Sequence, residues 1–289
     1  MNKRDLETHI ESLYLKSLNF DNNITNSPVL AVDSIKSLIG INLDMNYSQL
    51  IDWLESYLNG FEKKYNFKKY SFEKVPEVIS YKKLDNALFN KDLNSIKENI
   101  YYLSRVSEGS HIFEYLLEYS LKHCGDIHGM IWSAYRMDRF LHKKHVLINL
   151  EFCCQLIIDN IEESNSNQNT DLDWKDILKY ESSDIIKILN YYTIFNSNLI
   201  RKDNIKSYLG NKMLKVGYLK TENSLQSEIL NSQVSKGRAW ILEHLLSIKL
   251  SDIDYDLINL LNSFRAALMV AHDDEKKLIW KQLNNQICS

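Results

Sequence analysis

The chain has 289 residues, of which 44% are hydrophobic and 25% charged, and its formal net charge is -3. This balance is ordinary for a globular protein and argues against extensive disorder, and the interspersed charges lack the basic field that binds nucleic acid. Eight glycines and two prolines are few for all-β or dinucleotide-binding folds, which use many turn glycines. The composition favours an all-α protein that does not bind nucleic acid.

The first third of the chain predicts amphipathic helices separated by short loops. Apolar residues recur at helical spacing from Leu6, and again from Leu50 to Phe61, with a shorter helix ending at Gly40 between them. The basic and aromatic stretch 63–78 predicts a solvated loop. No apolar run reaches the roughly 18 residues of a membrane span, and the start of the chain lacks a signal-peptide pattern. The four cysteines show no CxxC spacing, so we expect reduced thiols, a cytoplasmic location and no membrane contact.

The middle of the chain has a repeat-like segment, residues 80–123, that predicts three successive helices with a break at "FNKD". No fixed period recurs elsewhere, so the predicted fold is an irregular multi-helix bundle that contains this segment. A polar stretch near 163–172 predicts a surface loop within a single all-helical domain spanning residues 1–289. Two long helices, over 222–250 and 252–286, are predicted to end the chain, the first of them interrupted at most by Gly237.

The segment from His128 to Leu141 predicts the most buried helix, because its apolar residues cover almost the whole circumference. One stripe of this helix nevertheless carries polar and aromatic groups at helical spacing: His128, Trp132, Tyr135, Arg139 and, beyond it, His142. An unpaired buried polar group costs roughly 1–3 kcal/mol. The stripe therefore predicts either a hydrogen-bonded network that fixes helix register or the lining of a ligand pocket.

Two further histidines, His244 and His272, are predicted on the apolar faces of the last two helices. A histidine in such a position is often a core residue with satisfied hydrogen bonds. The other interpretation is that His128, His244 and His272 converge on one pocket.

Several other histidines and one cysteine have neighbours that suit metal binding or nucleophilic chemistry. His111, Glu114 and Glu118 share a helix face that suits either metal binding or plain solvent exposure. The HKKH stretch at 142–145 lacks a carboxylate on its own face, and HExxH is absent, so no metal site is predicted. Cys124, between two histidines, is either an activated thiolate or an inert junction residue.

The segment "HGMIWSAYRMDRF", residues 128–140, resembles the signature of the questin oxidase-like family. These are all-helical proteins that include cofactor-dependent Baeyer–Villiger oxygenases of fungal polyketide metabolism. The histidine, aliphatic residue, tyrosine and acid of the pattern fall at His128, Ile131, Tyr135 and Asp138. Trp132 stands where the pattern has a second histidine, and Ala134 where it has a glycine. The resemblance implies an oxidoreductase with a small aromatic substrate, NADPH dependence and a pocket lined by His128, Trp132 and Tyr135.

Two hypotheses on function follow. The first is a small-molecule enzyme or ligand-binding protein with catalytic His128 and Tyr135. Its substrate-binding residues are predicted to be Trp132, Arg139, His244 and His272. The second is a non-catalytic helical scaffold that binds a protein partner through a groove, and the repeat-like segment motivates it. Apart from the implied NADPH, no cofactor or oligomeric state is assigned by the sequence.

Overall fold

A computed structural model describes residues 3–23, 25–73, 76–161, 178, 181–182, 184–197, 218–219 and 227–287. The chain divides into two compact units. The first unit comprises Met1–Asp33 and Ser56–Asn165, and the second comprises Ser34–Glu55 and Ser166–Ser289. The polar stretch 163–172 lies outside the described residues, and a single domain over 1–289 stays a prediction.

The predicted all-α, multi-helix fold is confirmed. The α-helices of the described residues are α1 (Lys3–Leu18), α2 (Pro28–Ile39), α3 (Ser48–Asn59), α4 (Tyr81–Phe89), α5 (Leu93–Val106), α6 (Gly109–His123), α7 (His128–Phe140), α8 (Val146–Asn160), α9 (Ile185–Asn196), α10 (Ser227–Lys236), α11 (Arg238–Ser247), α12 (Tyr255–Val270) and α13 (Asp273–Ile287). A short 3-10 helix spans Leu250–Asp252. Two strands of two residues each, β1 (Glu181–Ser182) and β2 (Tyr218–Leu219), pair in an antiparallel arrangement. None of the described helices has the length and apolar character needed to cross a membrane.

In the first unit α8 is the central helix, because α4, α5, α6 and α7 all pack against it. Its buried residues lie on every side, which suits a helix surrounded by others. The predicted series of three helices is present as α4, α5 and α6. Asp92 sets the start of α5, since its carboxylate accepts hydrogen bonds from the backbone N–H groups of Asn94 and Ser95 at 3.1 and 3.2 Å.

The stretch between α3 and α4 differs from its prediction as a solvated loop. Up to Phe72 it forms neither helix nor strand. Its lysines at 63, 64, 68 and 69 are exposed, whereas its aromatic side chains are half-buried: Phe61, Tyr65, Phe67, Tyr70 and Phe72. The ring of Phe67 packs edge-on against Phe152 of α8, with centroids 6.2 Å apart. The aromatic residues thus pack against the unit while the lysines reach water.

In the second unit α9 packs on α12, α12 packs on α13 and on α11, and α13 packs on α10. The two long helices predicted at the end of the chain are each broken. Gly237 separates α10 from α11 with φ of +56°, a backbone conformation that a glycine adopts without strain. The second break follows Val270, and α13 begins at Asp273 because the Glu275 carboxylate accepts a hydrogen bond from the backbone N–H of His272 at 2.8 Å.

Candidate functional site

Helix α7 follows a turn after Cys124, and two residues in the left-handed backbone conformation come after its C-terminal end. Both His142 and Lys143 have positive φ, of 53° and 61°. The backbone N–H of Lys143 donates to the carbonyl of Asp138 at 2.9 Å, which closes the last turn of the helix. Nine of the thirteen residues of α7 are buried, as expected for a helix that is apolar on most sides.

Two sides of α7 carry polar groups that make structural contacts within the first unit. Arg136 pairs with the fully buried carboxylate of Asp33 on α2. On another side, Asp138 accepts a hydrogen bond from Asn149 of α8 at 3.0 Å, and Asn149 accepts one from Tyr14 of α1, also at 3.0 Å. Burial raises the pKa of the Asp138 carboxyl, while the hydrogen bond from Asn149 lowers it in part. These contacts hold four helices, α1, α2, α7 and α8, in register.

The third side is the polar and aromatic stripe singled out in the sequence. His128 and Trp132 are buried, Tyr135 is buried along its ring, and Arg139 is exposed at the end. The guanidinium of Arg139 donates to the Tyr135 hydroxyl at 3.0 Å. The Tyr135 ring lies 5.5 Å from Trp132 and 5.7 Å from Phe113 of α6, between centroids. The stripe thus runs from a buried imidazole to a solvent-facing cation.

Within this stripe, the indole N–H of Trp132 has no hydrogen-bond partner among the described residues, although the side chain is only 9% exposed. Trp53, equally buried at 9%, donates its indole N–H to the Ile253 carbonyl at 2.9 Å. Buried tryptophan N–H groups normally have a partner. The stripe therefore presents a donor that an acceptor on a ligand or a water would satisfy.

The three core-face histidines of the sequence do not all lie as predicted. His128 belongs to the first unit, whereas His244 and His272 belong to the second. His272 is exposed, so the prediction that it lies on an inward helix face is wrong; the helical row of α12 ends at Val270 and the chain turns there. His244 is half-buried, with its ring stacked 4.8 Å from that of Trp240, and burial lowers its pKa. Their predicted roles in substrate binding stay predictions.

The HKKH stretch has no carboxylate on its own helix face, but two carboxylates of α1 lie close to its histidines. His142 lies 3.7 Å from Glu7, and His145 lies 2.7 Å from Glu11, whose pKa is lowered by the hydrogen bond from His145. Sequence spacing cannot reveal such partners, because α1 is more than a hundred residues away. Among the described residues no group of three or more histidine, cysteine or carboxylate side chains is placed to hold a metal ion. The Cys124 side chain is buried and its thiol donates to the Ile157 carbonyl at 3.9 Å, so the structure places no exposed nucleophile at this position.

A second polar centre was not predicted. Glu151 of α8 is buried beside Cys154, and its carboxylate lies 2.8 Å from the Lys97 ammonium of α5. The one sequence signal is Glu151 itself, a charged residue inside the apolar run "LINLEFCCQLII".

No protein-family model, curated protein or solved structure matches the chain.

Proposed function

We propose that this protein binds a small organic molecule along the α7 stripe, with Trp132 and Tyr135 as its contact surface. The observation that carries the proposal is the indole N–H of Trp132, which is buried and lacks a hydrogen-bond partner among the described residues. Leaving a buried donor unsatisfied is costly, and a ligand acceptor would remove that cost. The neighbouring rings of Tyr135 and Phe113 offer further apolar surface to the same molecule.

The chemistry of the stripe favours an aromatic ligand with a negatively charged end. Arg139 is exposed next to the Tyr135 hydroxyl, so the carboxylate of an aromatic ligand would pair with the guanidinium while an acceptor at the other end of its ring takes the indole N–H of Trp132. In this arrangement Tyr135 orients the ligand. His128 is the proposed acid–base group, because imidazole exchanges protons near neutral pH.

The resemblance of residues 128–140 to the questin oxidase-like family would imply more, an oxidoreductase that acts on a small aromatic substrate with NADPH as its reductant. The residues around the stripe do not fit NADPH. That cofactor carries three phosphate groups, and α7 offers one exposed guanidinium, Arg139, since Arg136 is already paired with Asp33. We therefore propose binding and acid–base chemistry at the stripe without NADPH.

The test uses 4-hydroxybenzoate as a probe, with thermal unfolding and tryptophan fluorescence as readouts. We expect a concentration-dependent rise in the unfolding temperature of the wild type. Trp132→Phe and Arg139→Gln should each weaken this response while leaving the fold intact. Trp240→Phe, on α11, is the matched control and should leave the response unchanged. No response in the wild type, or an equal response in Trp132→Phe, would remove the stripe from the proposal.

The second candidate function, a helical scaffold that binds a protein partner, is supported by one surface feature. Phe89, at the turn between α4 and α5, is 76% exposed, and Leu93 beside it is 43% exposed. Contiguous exposed apolar surface marks protein contact sites, and we take these two side chains as a candidate for such a surface. A photo-crosslinking amino acid at position 89, compared with one at the exposed Lys83, would give a discrete crosslinked product specific to position 89 if this surface binds a partner.

A further inference from the structure

Helix α12 carries a chain of hydrogen bonds that ends at an exposed sulfur. The Arg265 side chain is 7% exposed, and its guanidinium donates through Nη1 to the thioether sulfur of Met269, one helical turn further on, at 2.9 Å. Through Nε it donates to the amide oxygen of Asn262, also at 2.9 Å. The Asn262 amide in turn donates to the hydroxyl of Ser34 on α2 at 2.9 Å. The chain therefore connects a surface residue of the second unit to a buried residue of the same unit.

Met269 is the accessible end of this chain, because its side chain is 57% exposed. Of the other methionines in the described part of the chain, Met45 is half-buried, and Met130 and Met137 are 1% and 0% exposed. A dissolved oxidant must reach the sulfur to oxidise it, so exposure sets the order in which methionines react. We therefore expect Met269 to react before the buried methionines.

Oxidation converts this sulfur from a weak hydrogen-bond acceptor into a strong one. A sulfur lone pair attacks one oxygen of hydrogen peroxide, the O–O bond breaks, and the products are methionine sulfoxide and water. A thioether sulfur accepts weakly, whereas the sulfoxide oxygen carries a partial negative charge and would accept a charge-assisted hydrogen bond from the guanidinium. The methionine side chain is flexible and exposed, so the new oxygen can turn toward Arg265.

We propose that Met269 is an oxidation site whose sulfoxide strengthens the hydrogen-bond chain through Arg265, so that peroxide stabilises the second unit. At an exposed methionine without a cationic neighbour the sulfoxide gains no such partner, and stability stays the same or falls. The guanidinium makes the difference here, because it already contacts the sulfur. The site lies in the second unit and requires no residue of the α7 stripe.

The test is limited oxidation with hydrogen peroxide, followed by peptide mass spectrometry and thermal unfolding. We expect Met269 to be oxidised before Met130 and Met137. Met269→Leu, treated in the same way, reports the effect of oxidising every other methionine. Peroxide should shift the unfolding temperature of the wild type about 2–4 °C further upward than that of Met269→Leu, the shift expected when one hydrogen bond is gained. The proposal fails if Met269 reacts no faster than the buried methionines, or if its oxidation leaves the unfolding temperature unchanged or lower.

A comparison of two substitutions tests the acceptor without any oxidant. Met269→Gln places an amide oxygen near the position of the sulfoxide oxygen, and it should unfold about 2 °C above Met269→Leu, since leucine and glutamine have similar helix propensities. The matched control is the same pair of substitutions at Met45, a half-buried methionine of the second unit whose sulfur accepts no hydrogen bond among the described residues. There glutamine should be no more stable than leucine. An equal advantage of glutamine at both positions would refute the role of the guanidinium.

A variant of the donor connects the shift to Arg265. Arg265→Lys keeps the positive charge but loses the planar group that reaches Asn262 and Met269 at the same time. Peroxide should therefore no longer raise its unfolding temperature, and a rise as large as that of the wild type would contradict the proposal. If this variant does not fold, the comparison of glutamine with leucine at position 269 decides the question alone.

Discussion

The two tryptophans with equal exposure allow a direct measurement of the unsatisfied N–H in α7. Both side chains are 9% exposed, but Trp53 donates to the Ile253 carbonyl at 2.9 Å and Trp132 has no such partner among the described residues. Replacing either by phenylalanine removes the pyrrole half of the indole. From the apolar carbon lost, this costs about 2 kcal/mol of the free energy of unfolding at both positions.

Losing the indole N–H destabilises the protein at position 53 but stabilises it at position 132. Trp53→Phe also loses a hydrogen bond, so its total cost should be about 3 kcal/mol. Trp132→Phe removes a buried unsatisfied donor, which stabilises the protein by about 1–3 kcal/mol. The net change in its free energy of unfolding is therefore near zero. The variants should therefore differ by about 2 kcal/mol or more.

Urea unfolding followed by circular dichroism, with each variant compared with the wild type, measures both changes. The wild type must first be shown free of a copurified molecule by native mass spectrometry, since a bound ligand would raise the cost of Trp132→Phe. If the two substitutions cost the same in the ligand-free protein, the Trp132 N–H is satisfied, and the argument for a ligand at the stripe loses its basis.

Three other predictions test the packing around these sites. Arg136→Met should cost several kcal/mol because it removes the guanidinium that pairs with the Asp33 carboxylate, which is 0% exposed. Urea unfolding measures this cost, and a value below about 1 kcal/mol would contradict a buried pair. Burial lowers the pKa of His244, so the unfolded chain takes up its proton first and stability should fall as the pH drops through about 6.5. His244→Phe should show a smaller loss of unfolding temperature between pH 7.5 and 5, and an unchanged loss would refute the assignment. Gly109→Ala places a Cβ 2.7 Å from Val146 Cγ2 and should lower the free energy of unfolding by about 1–3 kcal/mol. Adding Val146→Ala should recover most of this stability, as measured by urea unfolding.

Patterns among residues close together in the sequence predicted many of the helices. The start of α5 follows from Asp92, a capping residue that acts within three positions of the chain, and the burial of α7 follows from apolar residues on most of its sides. The break after Val270 was missed because the apolar spacing of α12 continues to His272, and the capping contact of Glu275 with His272 has no apolar signature. The partial burial of the aromatic residues before α4 was missed because lysines interspersed with aromatic residues are typical of a solvated loop.

The sequence by itself determined the helical class, because hydrophobic periodicity and the scarcity of glycine act through short-range geometry. It also indicated which side of α7 carries Trp132 and Tyr135. Only the tertiary structure decided which buried polar atoms are satisfied. The partner of Trp53 is a carbonyl 200 positions away, and the Asp33 carboxylate accepts from a guanidinium 103 positions away. Hydrogen-bond partners at such separations depend on how distant segments pack, which local sequence patterns do not encode.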